Sequence, residues 1–281
     1  LAEAGALGYK GASLSVIVRV GVSMDISLSG RSAIITGASK GIGLAMATQF
    51  AASGADVALV ARGREALDAG VAGIRAKAQT KVIGISADVS NAADVKRAYD
   101  EAMRAFGKLD IVVNNAGTSN TTPFEQLTDE VMQHDLDLKL FGAIRLTRLA
   151  WPQMRERRWG RVINVLNIGA KAPRAGSSPT SISRAAGLAL TKVLAGEGAP
   201  HNILVNAMLV GLIESDQHVQ RAKRTGVALD AYMANHAKNI PLGRMGKPEE
   251  FASLATLLVS DNCGFVSGTA INVDGASSPV W

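Results

Sequence analysis

The chain has 281 residues, 47% of them hydrophobic and 19% charged, which is enough apolar material for a large core and too polar a mixture for a membrane protein. A single cysteine, Cys263, excludes an internal disulfide and a cysteine-rich metal site, and suits a reducing compartment. The net charge of +6 does not mark a nucleic-acid binder: the densest basic cluster, RERRWGR at 155–161, reads as a solvated helix end, and no aromatic-interleaved basic groove accompanies it.

In chain order, residues 1–23 contain an apolar-leaning stretch, ASLSVIV, interrupted by Arg19. It is far short of the roughly 20 residues of a membrane span. The segment also lacks the basic start, long apolar centre and small-residue cleavage site of a secretory signal. Residues 1–23 are therefore expected to be a leader outside the fold, with one domain over 24–281. From residue 32 onward short β-rich runs alternate with helical patterns: SAIITG then GIGLAMATQFAAS, DVALVA then REALDAGVAGIRAKA, KVIGISAD then AADVKRAYDEAMRAF. The rhythm continues through LDIVVNNAG, helices around 128–158, RVINVLN, a helix near 180–197, NILVNAMLV and AINVDG. Seven strands interleaved with helices predict an α/β fold with a doubly wound parallel seven-stranded sheet in three layers, because parallel neighbours need crossover helices. Continuous apolar strands such as VALVA fit a sheet covered on both faces. The stretch 211–243 has no clear period and is expected to be a substrate flap.

The first strand runs directly into TGASKGIG and then a helix. Gly37, Gly41 and Gly43 permit a tight turn and let backbone N–H groups and the helix N-terminus approach a pyrophosphate. The spacing is neither GxGxxG nor that of a P-loop. Together with NNAG at 114–117, VNA at 205–207 and PLGRMGKPEE followed by GTAINVDG, this turn carries a resemblance. Over about residues 27–276 the chain resembles the short-chain dehydrogenase/reductase family, in the family's order and spacing, and most nearly its 3-oxoacyl-carrier-protein-reductase-like group. The resemblance implies a Rossmann-type fold, an oxidoreductase acting on the carbonyl or alcohol group of a small molecule, a cytoplasmic homo-oligomer (tetramer or dimer), and neither nucleic acid nor membrane as partner. It implies a cofactor cradle made of Gly37, Ser39, Lys40, Gly41, Ile42 and Gly43, an adenine edge at Asp88 and Val89, a floor at Asn115, Ala116 and Gly117, and carboxamide contacts at Ile213 and Ser215. Proteins of this fold that prefer NAD place an acid at the end of the second strand. Here that strand ends in Arg62, and with Lys40 in the turn two cations converge where a 2′-phosphate would sit, so NADP(H) is expected over NAD(H).

At the chemical end the same resemblance brings departures. The family's catalytic tyrosine falls on Thr180, its lysine on Arg184, its serine on Asn167 and its asparagine on Asp137. A threonine hydroxyl does not titrate in a usable range, and an arginine is always charged, so Arg184 can bond the nicotinamide ribose but cannot pass protons. Asp137 and Arg184 look mutually adjusted and are expected to form an ion pair beneath that ribose. Asn167 keeps an amide N–H for a substrate carbonyl. Tyr232 and His236, one helical turn apart in the flap, are the stand-in candidates for the acid, with Lys171 a weaker one. Losing a positioned acid costs about 3 to 5 kcal/mol, whereas orienting the reactants is worth about 7 to 11, so a slow reductase is energetically allowed. The rival readings are a catalytically inert nucleotide-binding pseudoenzyme or regulatory subunit, and a proton-transfer or elimination enzyme.

Overall fold

The computed structural model describes residues 26–281; the expected leader at 1–23 lies outside them. The chain runs β1 (Ser32–Thr36), α1 (Gly41–Ala52), β2 (Asp56–Ala61), α2 (Arg64–Arg75), β3 (Val82–Ser86), α3 (Ala92–Phe106), β4 (Ile111–Asn114) and a two-residue β5 (Thr121–Thr122). It continues with α4 (Asp129–Leu136), a single π-helical turn (Asp137–Phe141), α5 (Gly142–Arg157), β6 (Gly160–Asn167), a two-residue β7 (Ser178–Pro179) and α6 (Thr180–Gly198). It closes with β8 (Ile203–Val210), α7 (Asp216–Thr225), α8 (Leu229–Ala237), α9 (Pro248–Val259) and β9 (Ala270–Val273).

Seven strands make one parallel sheet in the order β3-β2-β1-β4-β6-β8-β9, the doubly wound arrangement anticipated from the alternation of strands and helices. Every residue of β1 and nearly every residue of β2, β6 and β8 is buried, as a sheet covered on both faces requires. One covering layer carries Met46 and Phe50 of α1, Leu67, Val71 and Ile74 of α2, and Phe251 and Leu258 of α9. The other carries Val95 and Ala98 of α3, Leu146, Ala150 and Met154 of α5, and Ala195 of α6. Helix α3 shows how locally these elements are written: the Asn91 side chain caps its first N–H groups, Val95, Ala98 and Ala102 recur on one face, and Gly107 ends it at φ 76°. The expected single flap at 211–243 contains two helices, α7 and α8. The antiparallel ribbon β5–β7, which pairs Thr121 with Pro179 and Thr122 with Ser178, is too short to carry a sequence period. Among the described residues no helix is long and apolar enough to cross a membrane.

The amino ends of the strands are stitched by Asp110, whose carboxylate is 1% exposed. One oxygen accepts the Ser32 N–H at 3.0 Å and faces Lys108 at 2.8 Å, and the other accepts from Arg157 at 3.0 Å. The functional residues gather at the opposite, carboxyl ends, so this stitch is remote from them. Asp110→Ala is expected to lower unfolding free energy by about 2 to 3 kcal/mol, since Ser32 N–H loses its acceptor while the two cations can turn to water. A urea titration checks this, and a loss within 0.5 kcal/mol (roughly the usual range for a surface change) would contradict it.

Candidate functional site

Between β1 and β4 the sheet order reverses direction, leaving a crevice at the carboxyl edge where ligands of such sheets bind. Gly37 and Gly41 take left-handed φ angles of 65° and 53°, which let the chain turn from β1 into α1. A Cβ on Gly37 would lie 2.9 Å from the Ala116 backbone, and one on Gly43 would lie 2.3 Å from the Gly37 carbonyl and 2.7 Å from Asn115 Nδ2. The Asn115 amide donates to the carbonyls of Thr36 and Gly37, while the Thr36 hydroxyl accepts the N–H groups of Asn115 and Ala116 at 3.0 Å each. The turn Gly37–Lys40 and the loop Asn115–Gly117 therefore form one interlocked unit. Helix α1 opens with no capping side chain and no acidic residue in its first turn, so its N-terminal N–H groups and positive dipole end suit an anion. Ser215 Cβ lies 4.0 Å from the place a Cβ on Gly41 would take, which brings the segment leading into α7 against this turn.

Along the crevice, Arg62 follows β2 and is 63% exposed, its Nη1 3.8 Å from Asp88 after β3. Asp88 also accepts from the backbone and hydroxyl of Ser90, and its own N–H donates to Asp94. Val89 is buried against Gly142, where a Cβ would meet the Val89 carbonyl at 3.1 Å. Arg145 bonds the Ser90 carbonyl at 2.8 Å and Asp137 at 2.9 Å, tying this edge to the π-turn.

Beneath the crevice lies a buried polar cluster. Lys139, from the π-turn, donates to Asp135 at 2.5 Å and to the Thr180 hydroxyl at 2.8 Å. The second oxygen of Asp135 accepts from Ser183 at 2.6 Å. The Thr180 hydroxyl donates to the Asn120 carbonyl at 2.6 Å and accepts the Asn120 N–H at 3.0 Å, so its one proton and both lone pairs are engaged. Arg184 passes under Gly117, where a Cβ would lie 2.5 Å from its Nη2, and donates to the Val165 carbonyl at 2.6 Å. Burial draws the Arg184 pKa down to about 10, with Asp135 opposing, which leaves it charged at neutral pH. Burial also pulls Lys139 below the ordinary lysine value; the Asp135 bond works against this and the charge of Arg184 works with it. Two buried atoms here have no hydrogen-bond partner, Arg184 Nε and Asn167 Oδ1.

The family profile described as enoyl-(acyl carrier protein) reductase matches residues 37–277, spanning the glycine turn, the polar cluster and the last strand. The chain belongs to the short-chain dehydrogenase/reductase family. It is 31% identical over 252 residues to the 3-oxoacyl-[acyl-carrier-protein] reductase of Aquifex aeolicus, covering 90% of this chain and 99% of that protein. It is 31% identical over 245 residues to the acetoacetyl-CoA reductase of Shinella zoogloeoides, covering 87% and 97%. Among solved structures, L-sorbose reductase from Gluconobacter frateurii, complexed with NADPH and L-sorbose, superposes with a TM-score of 0.88 at 33% identity, covering 92% of this chain and 100% of that one.

Within this short-chain dehydrogenase/reductase chain the expected ion pair between Asp137 and Arg184 does not form. Thr180 and Arg184 stand on the first turns of α6 and Asn167 ends β6, but Asp137 does not pair with Arg184. It binds Arg145 at 2.9 Å and Gln133 at 3.0 Å, and the Gln133 hydrogen bond, with the Arg145 bond and charge adding to it against desolvation, lowers its carboxyl pKa. The carboxylate facing Arg184 is Asp135. Two residues along a helix is roughly 200° of rotation, so Asp135 looks toward α6 while Asp137 looks away from it. Asp135 and Lys139 were the residues missed; their i, i+4 spacing was the available signal. In the stretch 211–243, Ile213 is buried and its backbone bridges to Gly246. Tyr232 and His236 pack ring on ring with centroids 4.1 Å apart, the Tyr232 hydroxyl lies 3.5 Å from His218 Nδ1, and His236 bonds the Tyr232 carbonyl. Lys171 donates to the Ala270 carbonyl on β9 at 2.7 Å.

If Asp135 is the acid that balances the buried charge, Asp135→Asn should cost about 3 to 5 kcal/mol by leaving Lys139 uncompensated. Asp137→Asn, at a partly exposed pair, should cost about 1 kcal/mol or less. Urea unfolding of the two variants distinguishes them, and equal losses would refute the assignment.

Proposed function

We propose that this chain is an NADP(H)-dependent reductase of a small-molecule carbonyl group, in which Asp137, Asn167, Thr180 and Arg184 replace the residues that carry catalysis elsewhere in the family. The observation that carries the reading is the glycine turn: at Gly43 a single added carbon would strike the Gly37 carbonyl and Asn115, and the turn aims an uncapped helix terminus into the crevice. That geometry fits a pyrophosphate. The unpartnered Arg184 Nε–H fits a ribose hydroxyl, and the unpartnered Asn167 Oδ1, on an amide that also carries N–H donors, fits a polar group of the substrate or nicotinamide. NADPH would supply the hydride. Arg62 and Lys40 would grip the 2′-phosphate, Asp88 and Val89 would line the adenine, Asn115 to Gly117 with Arg184 would support the ribose, and Ile213 and Ser215 would reach the carboxamide. Asn167 would orient the carbonyl. Tyr232 and His236 have each other and His218 as partners, and this reading does not need them as the acid. The relatives point to 3-oxoacyl thioesters or ketoses as the substrate class. Exposed Phe141, Ile182 and Val193 support a homo-oligomer, and the lone cysteine supports a cytoplasmic location.

One observation favours a second reading, a nucleotide-binding subunit without turnover: the Thr180 hydroxyl is fully engaged with Asn120 and Lys139 and holds no proton free for a substrate. Fluorescence titration is expected to show NADPH binding at least ~10-fold tighter than NADH, with Arg62→Ala narrowing the gap through loss of the phosphate contact. Slow NADPH oxidation is expected with acetoacetyl-CoA or L-sorbose. Tight binding without oxidation establishes the second reading, and tighter NADH binding overturns the cofactor assignment.

A further inference from the structure

Reducing a carbonyl requires a hydride at carbon and a proton at oxygen, and this site lacks the phenol that would serve in the family. What stands in its place is a hydroxyl with an ammonium behind it. Lys139 Nζ lies 2.8 Å from Thr180 Oγ1, and its side chain is 1% exposed. Of the two cations under Gly117, the arginine holds its proton throughout the working pH range, whereas a lysine can release one. Threonine is too weak an acid to act alone, but its hydroxyl can hand over a proton while receiving another.

We propose that Thr180 and Lys139 form the proton relay of this active site, with Lys139 as the reservoir. The inference rests on the reductase reading above, in which the reduced cofactor is the two-electron donor. When the carbonyl carbon accepts the hydride, the carbonyl π pair moves to oxygen as an alkoxide. The Thr180 O–H bond breaks as the new O–H bond of the alcohol forms, and an N–H bond of Lys139 breaks as the Thr180 O–H is restored. Lys139 is left as a neutral amine and regains its proton from water between turnovers. To begin, the hydroxyl proton must swing from the Asn120 carbonyl toward the reacting oxygen, exchanging one hydrogen bond for another. The Asn167 side of the cluster is where that oxygen would be held. A Cβ on Gly169 would lie 2.9 Å from Ser181 Oγ and 3.4 Å from Asn167 Oδ1, which puts the Asn167 amide near Ser181 in the first turn of α6, the turn that carries Thr180.

The charged groups facing Lys139 are Asp135 from α4 and Arg184 from α6; Thr180 contributes its hydroxyl and Gly117 its backbone, while Ser183 bonds Asp135 and the Asn120 backbone bonds Thr180. Asp135 does for Lys139 what the relay needs, fixing the ammonium toward Thr180 and balancing its charge. Burial draws Lys139 below the ordinary lysine value, with Arg184 assisting and Asp135 opposing. The protonated form drives reduction, so kcat for reduction should fall as pH rises through this lowered pKa.

The test follows kcat against pH with NADPH and whichever of acetoacetyl-CoA or L-sorbose the wild type reduces, for wild type, Lys139→Arg, Thr180→Val and Thr180→Ser. Alongside, the 13Cε resonance of Lys139, identified by its loss in Lys139→Arg, is titrated in the protein without cofactor. Lys139→Arg keeps the charge and the Asp135 pair but cannot release a proton, so it should lose ~10²- to 10³-fold in kcat, as should Thr180→Val, while Thr180→Ser recovers most of the rate. NADPH dissociation constants should stay within roughly threefold, about 0.65 kcal/mol. The 13Cε titration should fall below the ordinary lysine range and share its midpoint with the kcat profile, a coincidence that a purely structural role would not produce. Wild-type rates in Lys139→Arg or Thr180→Val overturn the relay and leave the reductase reading standing. If Lys139→Arg does not fold, a wild-type profile flat through the lysine range, or equal rates in Thr180→Val and Thr180→Ser, overturns it. A wild type that oxidises no NADPH with either compound overturns the relay and the reductase reading together.

Discussion

There is no room for a methyl group between Gly43 and the carbonyl of Gly37, and much of the molecule is arranged around that contact. It allows the first turn of α1 to sit directly on the end of β1. Asn115 and Ala116, arriving from β4, then close the back of the turn through Thr36. Because β1 and β4 are neighbours whose crossovers leave in opposite directions, a crevice opens between them at the carboxyl edge of the sheet. The buried strands hold this arrangement rigid from below, with the Asp110 stitch at the far edge.

A second constraint is electrostatic. Two cations, Lys139 and Arg184, lie under the crevice, where uncompensated charge is costly. One carboxylate, Asp135, answers both: it bonds Lys139 directly and acts on Arg184 through space. Its remaining oxygen takes the Ser183 hydroxyl, and Lys139 in turn reaches Thr180, which is bound to Asn120 on the loop after β4. The ribbon β5–β7 joins the same two segments by backbone pairing. Charge balance at the π-turn and the position of the loop beside the crevice are thus one problem with one solution.

The strands and helices were legible because their signals are local. VALVA is apolar throughout and lies in a strand buried on both faces, and the Asn91 cap and the Gly107 stop that bound α3 each bond backbone groups within four residues of themselves. The glycine turn was legible for a related reason, since three glycines between a strand and a helix describe a backbone requirement without reference to distant groups. Helices α7 and α8 were not: the ring contacts of Tyr232 and His236 with His218 that join them link residues up to 18 apart. The ribbon β5–β7 pairs positions nearly sixty residues apart over two residues each, and no period can show in so short a run.

By itself the sequence determined the alternation of strands and helices that makes a doubly wound parallel sheet, the tight glycine turn after the first strand, and the residue types at each position, because period, glycine placement and chemical identity are properties of single segments. Which acid meets which cation was decided only by the tertiary structure. Asp135 and Asp137 are near-equivalent in the sequence, yet the rotation along the helix turns one toward α6 and the other toward Arg145. The partner of a buried charge is set by the face on which it emerges and by what is packed there, and that information exists only once the helices have met.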